Sequence, residues 1–139
     1  MYILIDNNGK ILSIAEKKLN EKYIKVDNIP QPFQIYIYKN GKFIKDKKLE
    51  KYYKKQIINK KRKKLSKIIS EYITELLNYF DYDDLADLML CKNIPEYKEE
   101  VEKLENWIKE VYKEYEKLSN NIENIDLKNV YNLLPKYKG

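Results

Sequence analysis

The sequence predicts an α+β chain: a small N-terminal antiparallel β-meander of about five strands over residues 1–46, then a helical part over residues 47–139, a hairpin of two long helices plus two short ones. Three observations carry this. Two Asn-Gly turns, Asn8-Gly9 and Asn40-Gly41, sit between short apolar stretches in the first 46 residues. From Leu65 the apolar positions step by three and one, the mark of a helix face. From Tyr97 they alternate by four and three to Leu118, the seam of a helix lying along another helix.

Taken in order, Tyr2–Ile5 and Lys10–Ile14 flank Asn7-Asn8-Gly9 as a first hairpin, and Tyr23–Val26 follows as a single strand. Pro30 and Pro32 interrupt the chain. Phe33–Tyr38 and Lys42–Ile44 then flank Asn40-Gly41 as a second hairpin. A helix runs on Leu65, Ile68, Ile69, Tyr72, Ile73, Leu76, Leu77 and Phe80, with Tyr79 alone out of pattern, and extends upstream to Leu49. Asp81, with Asp84 three positions on, offers an N-cap for a short helix through Leu85, Leu88 and Met89 that ends near Cys91. Pro95 suits the first position of a third helix, with Glu96, Glu99 and Glu100 at its positive end and Tyr97, Val101, Leu104, Ile108, Val111, Tyr115 and Leu118 as its seam, widened by Trp107 and Tyr112. Asn120-Asn121 closes it. Asp126 caps a final short helix through Val130, Leu133 and Leu134, which Pro135 stops, and a polar tail of four residues remains.

With 139 residues and no Gly- or Ser-rich linker, one domain over 1–139 is expected. No apolar run approaches the roughly 18 residues of a membrane span, and the N-terminus lacks the basic start of a signal peptide, so a soluble, cytoplasmic protein with no membrane contact is expected. The single cysteine, Cys91, allows no intramolecular disulfide.

Histidine is absent, and with it the commonest general base and metal ligand at neutral pH. No Gly-rich phosphate loop and no Cys-x-x-Cys pair occurs, so nucleotide and zinc chemistry lack a scaffold. The expectation is a non-enzymatic protein with no cofactor and no catalytic or metal site. The best remaining catalytic candidate is the carboxylate group Asp81, Asp83, Asp84 and Asp87, which could hold a divalent cation in the manner of a nuclease, or could simply cap a helix.

Charge is unevenly placed: residues 1–80 carry 19 Lys and Arg against 8 Asp and Glu, residues 81–139 carry 9 against 14. The sharpest partner-binding feature is the run Lys60, Lys61, Arg62, Lys63 and Lys64, which offers a contact for phosphates of nucleic acid or forms a solvated helix face. Arg62 is the only arginine, so bidentate base reading has little to work with. Tyr36 and Tyr38, on the strand face opposite Phe33, Ile35 and Ile37, form a candidate aromatic platform.

From Tyr82 to Pro135 the spacing resembles small phage and prophage proteins encoded with tail-fibre genes, the tail-fibre accessory or assembly proteins. A Tyr/Asp-rich start (Asp81-Tyr82-Asp83-Asp84) precedes Pro95. An acidic stretch leads to Trp107, Val111 and Tyr115, and after a polar gap Asp126-Leu127 leads to Leu134-Pro135. The N-terminal Asn-Gly hairpin is similar to that family's short β-rich start, while this chain is Lys-rich where those proteins are typically Ala-rich. The resemblance implies an accessory protein that binds a phage structural protein during tail-fibre assembly. A scaffold of this kind could also be diverted to inhibit a host defence effector, such as an RNA-guided CRISPR nuclease. Covering the Val101–Leu118 seam within one chain favours a monomer.

Overall fold

Tyr2–Ile5 (β1) and Ile11–Ala15 (β2) pair antiparallel, with Ile3 opposite Ile14 and Leu4 opposite Ser13, and the register shifts between Leu4 and Ile5. This computed structural model describes all residues, 1–139. Asp6 ties the connecting turn: its Oδ1 accepts from the backbone N–H of Asn8 at 2.8 Å and of Lys10 at 2.9 Å, and Gly9 adopts φ +84°. Ile24–Lys25 (β3) pairs with the other edge of β1, so the sheet order is β2-β1-β3.

The single five-stranded meander is replaced by two sheets. Tyr36–Lys39 (β4) and Lys42–Lys45 (β5) form a separate two-stranded sheet, with Asn40 and Gly41 both at positive φ (53° and 76°) as a two-residue primed turn requires. A single bridge, Lys10 to Ile37, and the Tyr38 N–H donated to the Gly9 carbonyl at 2.7 Å tie it to the first hairpin. Phe33–Ile35 is a 3-10 turn, not the start of a strand. That turn resets the alternation: Phe33, Tyr38 and Phe43 pack against one core, built on buried Ile3, Ile11 and Val26, and Ile44 on the opposite face is 46% exposed. Tyr38 and Phe33 therefore share a core instead of lying on opposite faces.

Asp46 opens the long helix Lys47–Tyr79 (α1), its Oδ1 accepting from the Leu49 N–H at 2.9 Å. Leu65, Ile69, Ile73 and Leu77 lie one turn apart and are buried, with Ile68, Tyr72, Leu76 and Phe80 flanking them. The helix ends in a Schellman arrangement: Tyr82 N–H donates to the Leu77 carbonyl at 2.9 Å, Asp81 N–H to that of Asn78 at 3.1 Å, and Asp81 takes the left-handed position at φ +66°. Tyr82 and Leu77 both lie in the core, the apolar contact that usually accompanies this cap.

Leu85–Leu90 (α2) is capped by Asp84, three residues later than the cap expected at Asp81, because Asp81 already closes α1. Lys98–Asn120 (α3) starts later than Pro95: Tyr97 N–H donates to the Ile94 carbonyl, so Pro95–Tyr97 is a turn ahead of the helix. Val101, Leu104, Trp107, Ile108, Val111 and Leu118 are buried against the α1 row, while Tyr97 and Tyr112, expected in the seam, are 43% and 46% exposed. The pairing is antiparallel, since Arg62 meets Ser119 at one end and Tyr72 meets Trp107 further along. Asp126 Oδ1 accepts from the Lys128 N–H and starts a 3-10 turn that leads into Val130–Leu133 (α4).

The chain forms two compact units, Met1–Ile57 and Ile58–Gly139, and each of the two apolar cores lies within one of them. No helix is long and apolar enough to cross a membrane.

Candidate binding surfaces

In the first unit the stretch Lys25–Pro30 and the β4–β5 hairpin enclose an open cleft of about 950 Å3. Tyr36 and Tyr38, two residues apart on β4, both line it, with Phe43 across the ladder from Tyr38 and the rings of that pair 5.0 Å apart. Lys25 and Lys42 add positive charge and Asp27 a negative one. The two tyrosines thus border a concave surface and are half-buried in it, rather than standing on a flat exposed sheet. Such a surface offers ring faces, phenol hydroxyls and ammonium groups to an extended segment carrying acidic or aromatic side chains.

The basic run divides by helix geometry. Lys60, Lys63 and Lys64, joined by Lys67, are spaced by three and four residues and form one exposed face of α1. Lys61 lies one turn before buried Leu65 and is half-buried. Arg62 is drawn to α3, where its Nε and Nη2 both approach the Ser119 carbonyl oxygen at 3.4 Å, a cation at the negative end of that helix. The five residues therefore serve two roles, and three of them join Lys67 in an open cationic face.

Two of the four aspartates, Asp84 and Asp87, engage their carboxylates locally. Asp84 Oδ1 accepts from the Asp87 N–H at 2.8 Å, and Asp87 Oδ2 accepts from the Asp83 N–H at 2.9 Å, a reciprocal cap on α2. Asp81 is the left-handed residue of the α1 terminus. No group of three or more Cys, Asp or Glu side chains is placed to hold a metal ion. Cys91 is a free, half-buried thiol packed against the core of the second unit.

A surface that the sequence did not single out lies in the second unit. Tyr72, Leu76, Tyr79 and Phe80 on α1, Trp107 on α3, and Lys136 and Tyr137 line a groove of about 510 Å3, with Glu75 at its side. Tyr79 is 80% exposed. Its position outside the apolar stripe was the available signal: an aromatic ring on a helix's wet face costs solvation with no core to repay it. The expected polar tail is here part of the packing, with the Tyr137 ring 5.2 Å from Phe80 and 6.1 Å from Trp107. Burial holds the Tyr72 phenol above its usual range. Nearby in the same core, burial first, and then the Glu100 carboxylate, push Tyr82 up to about 12. The Tyr82 hydroxyl makes no hydrogen bond of good geometry.

No family model, curated protein or solved structure matches this chain.

Proposed function

We propose that this chain is a non-catalytic accessory protein that works by binding another protein, with a phage structural protein in tail-fibre assembly as the partner. The observation that carries the binding role is the cleft of the first unit, where Tyr36, Tyr38 and Phe43 meet Lys25 and Lys42 on a concave, open surface. Aromatic rings bring large contact area at low entropic cost, and flanking cations select an acidic partner segment. The tail-fibre assignment rests on the residue spacing from Asp81-Tyr82 through Trp107 to Leu134-Pro135.

A second reading is favoured by the Lys60, Lys63, Lys64 and Lys67 face: inhibition of a host RNA-guided nuclease through contact with its nucleic acid. Such contact would weaken steeply with salt and show little sequence preference, because ammonium groups answer phosphates and not base edges.

The test is affinity capture from lysate of the source cells after prophage induction, with wild-type bait and with a Tyr36→Ala/Lys42→Glu bait. Recovery of a phage structural protein by the wild-type bait, lost with the cleft variant, is the expected result. Recovery of a nuclease effector instead, lost when Lys60, Lys63 and Lys64 are changed to Glu, would replace the first reading with the second. Capture of a phage protein unaffected by the cleft variant would show that the cleft is not the site.

A further inference from the structure

The β4–β5 hairpin leaves one strand edge unpaired, and its register says which groups lie on it. Tyr38 stands opposite Phe43, and Tyr36 opposite Lys45. The Tyr38 amide donates outside the ladder, to the Gly9 carbonyl at 2.7 Å, and the Tyr36 amide donates back to the Phe33 carbonyl. In an antiparallel pair, a residue whose amide points away from its partner strand faces a residue whose own N–H and C=O also point away, on the far side. The backbone N–H and C=O groups of Phe43 and Lys45 therefore line the outer edge of β5. No third strand lies beside that edge, and no backbone group elsewhere in the chain bonds to it.

An open row of donors and acceptors is a template for an extended segment, and the charge beside it selects the kind. The hairpin Tyr36–Lys45 carries Lys39, Lys42 and Lys45 and no carboxylate. Glu50 reaches Lys45 at 3.7 Å, while Lys39 and Lys42 are exposed. Lysines along an edge oppose pairing with a second copy, which would bring the same charges to the new ladder, and favour a strand that carries carboxylates. Phe43 also lines the cleft with Tyr36 and Tyr38, where Asp27 is the one carboxylate against Lys25 and Lys42. A strand laid along β5 would set alternate side chains on that same face.

We infer that the first unit takes its partner by strand addition: an extended acidic segment of another protein pairs with the outer edge of β5 through the main-chain groups of Phe43 and Lys45. The inference rests on the cleft as the binding surface and deepens it, since it names the backbone edge that holds the segment and the charge that selects it. Main-chain hydrogen bonds supply affinity that does not depend on the partner's exact side chains, and the lysines supply the discrimination.

The probe is a short synthetic peptide of alternating glutamate and valine, blocked at both ends and titrated into the full chain, with hydrogen exchange followed residue by residue by NMR. Expected is slowing of exchange at the Phe43 and Lys45 amides by at least about tenfold, with no slowing by the matching lysine–valine peptide. Lys45→Pro removes an outward N–H without touching the β4–β5 ladder and should weaken peptide binding about tenfold, whereas Lys45→Gln keeps the N–H and should weaken it less. Should Lys45→Pro fail to fold, the exchange of the wild-type amides still decides. Binding that shifts the Tyr36 and Tyr38 resonances but leaves the Phe43 and Lys45 amides exchanging freely overturns strand addition while leaving the cleft as the surface. Slowing of those amides by protein concentration alone overturns it in favour of a second copy, and equal slowing by the lysine–valine peptide overturns the choice of an acidic segment. No binding of the glutamate peptide overturns the inference outright, and the cleft itself is then judged separately by the Tyr36→Ala/Lys42→Glu bait.

Discussion

The Trp107 indole N–H donates to the Pro135 carbonyl oxygen at 2.9 Å, joining the middle of α3 to a residue 28 positions later in the chain. Tyr72 shares that acceptor from the opposite helix. One backbone oxygen therefore binds α1, α3 and the segment after α4. Tyr72→Phe leaves it one donor and should cost about 1 kcal/mol; Trp107→Phe does the same and, because the buried indole gives way to a smaller ring, should cost more. The double variant strips a partly buried carbonyl of both and should cost more than the two single losses together. Urea unfolding of the four chains, read by far-UV circular dichroism, measures that coupling.

Tyr82 makes stability fall at alkaline pH. Its phenol sits at about 12 in the folded chain against an ordinary 10.0, so folding favours the protonated form. The contribution is fully present below pH 10 and is lost as pH rises through about 12. Tyr82→Phe has no proton to lose and should flatten this part of the stability profile. Because the hydroxyl is buried without a good partner, the substitution should be neutral or stabilising at pH 7, by up to about 1 kcal/mol. Thermal melts of both chains between neutral pH and pH 11 test both statements.

The corner between α1 and α2 carries two aspartates with opposite responses to substitution. Asp81 holds φ +66°, a conformation that costs a residue with a Cβ on the order of 1 kcal/mol, so Asp81→Gly should raise the melting temperature. Asp84 supplies the α2 cap, so Asp84→Ala should lower stability by about 1 kcal/mol. A melt performed with and without added divalent cation should give the same two shifts, since both effects arise from backbone geometry.

Gly9 faces the Tyr38 carbonyl so closely that an added Cβ would lie 2.5 Å from its oxygen, and its φ of +84° already excludes most side chains. Gly9→Ala should cost at least about 2 kcal/mol in the first unit. The expected sign is loss of amide hydrogen-exchange protection across β1, β2, β4 and β5, beginning at the Tyr38 amide, which donates to Gly9.

Ile108 is 5% exposed within the α1–α3 core, and Ile108→Ala should destabilise the second unit by roughly 2–5 kcal/mol. The seam is covered by α1 of the same chain, so the melting temperature of the wild type should not depend on protein concentration.

Elements whose signals are local were legible in the residues alone. The Leu65–Phe80 stripe and the Val101–Leu118 seam predicted two long helices and their pairing, because burial of an apolar face imposes its period on the chain over many residues. Asn40-Gly41 predicted its turn because few residue pairs accept two positive φ values. Tyr36, Tyr38 and the basic run were visible as types, but not as surfaces. Which strand neighbours which, and that β3 joins β1 while β4 and β5 stand in a second sheet, depends on contacts between distant residues that no local pattern encodes. The same holds for Phe33–Ile35, whose strand-like composition gave way to a 3-10 turn. It holds for Arg62, drawn to the end of α3, and for Asp81, taken by the helix before it and not the helix after it. It holds most of all for Leu134–Tyr137. A helix end at Leu134, a stop at Pro135 and the first residues of a polar tail pack together only because α1 and α3 bring Tyr72 and Trp107 together beside them, and a backbone carbonyl takes its donors from wherever the fold delivers them.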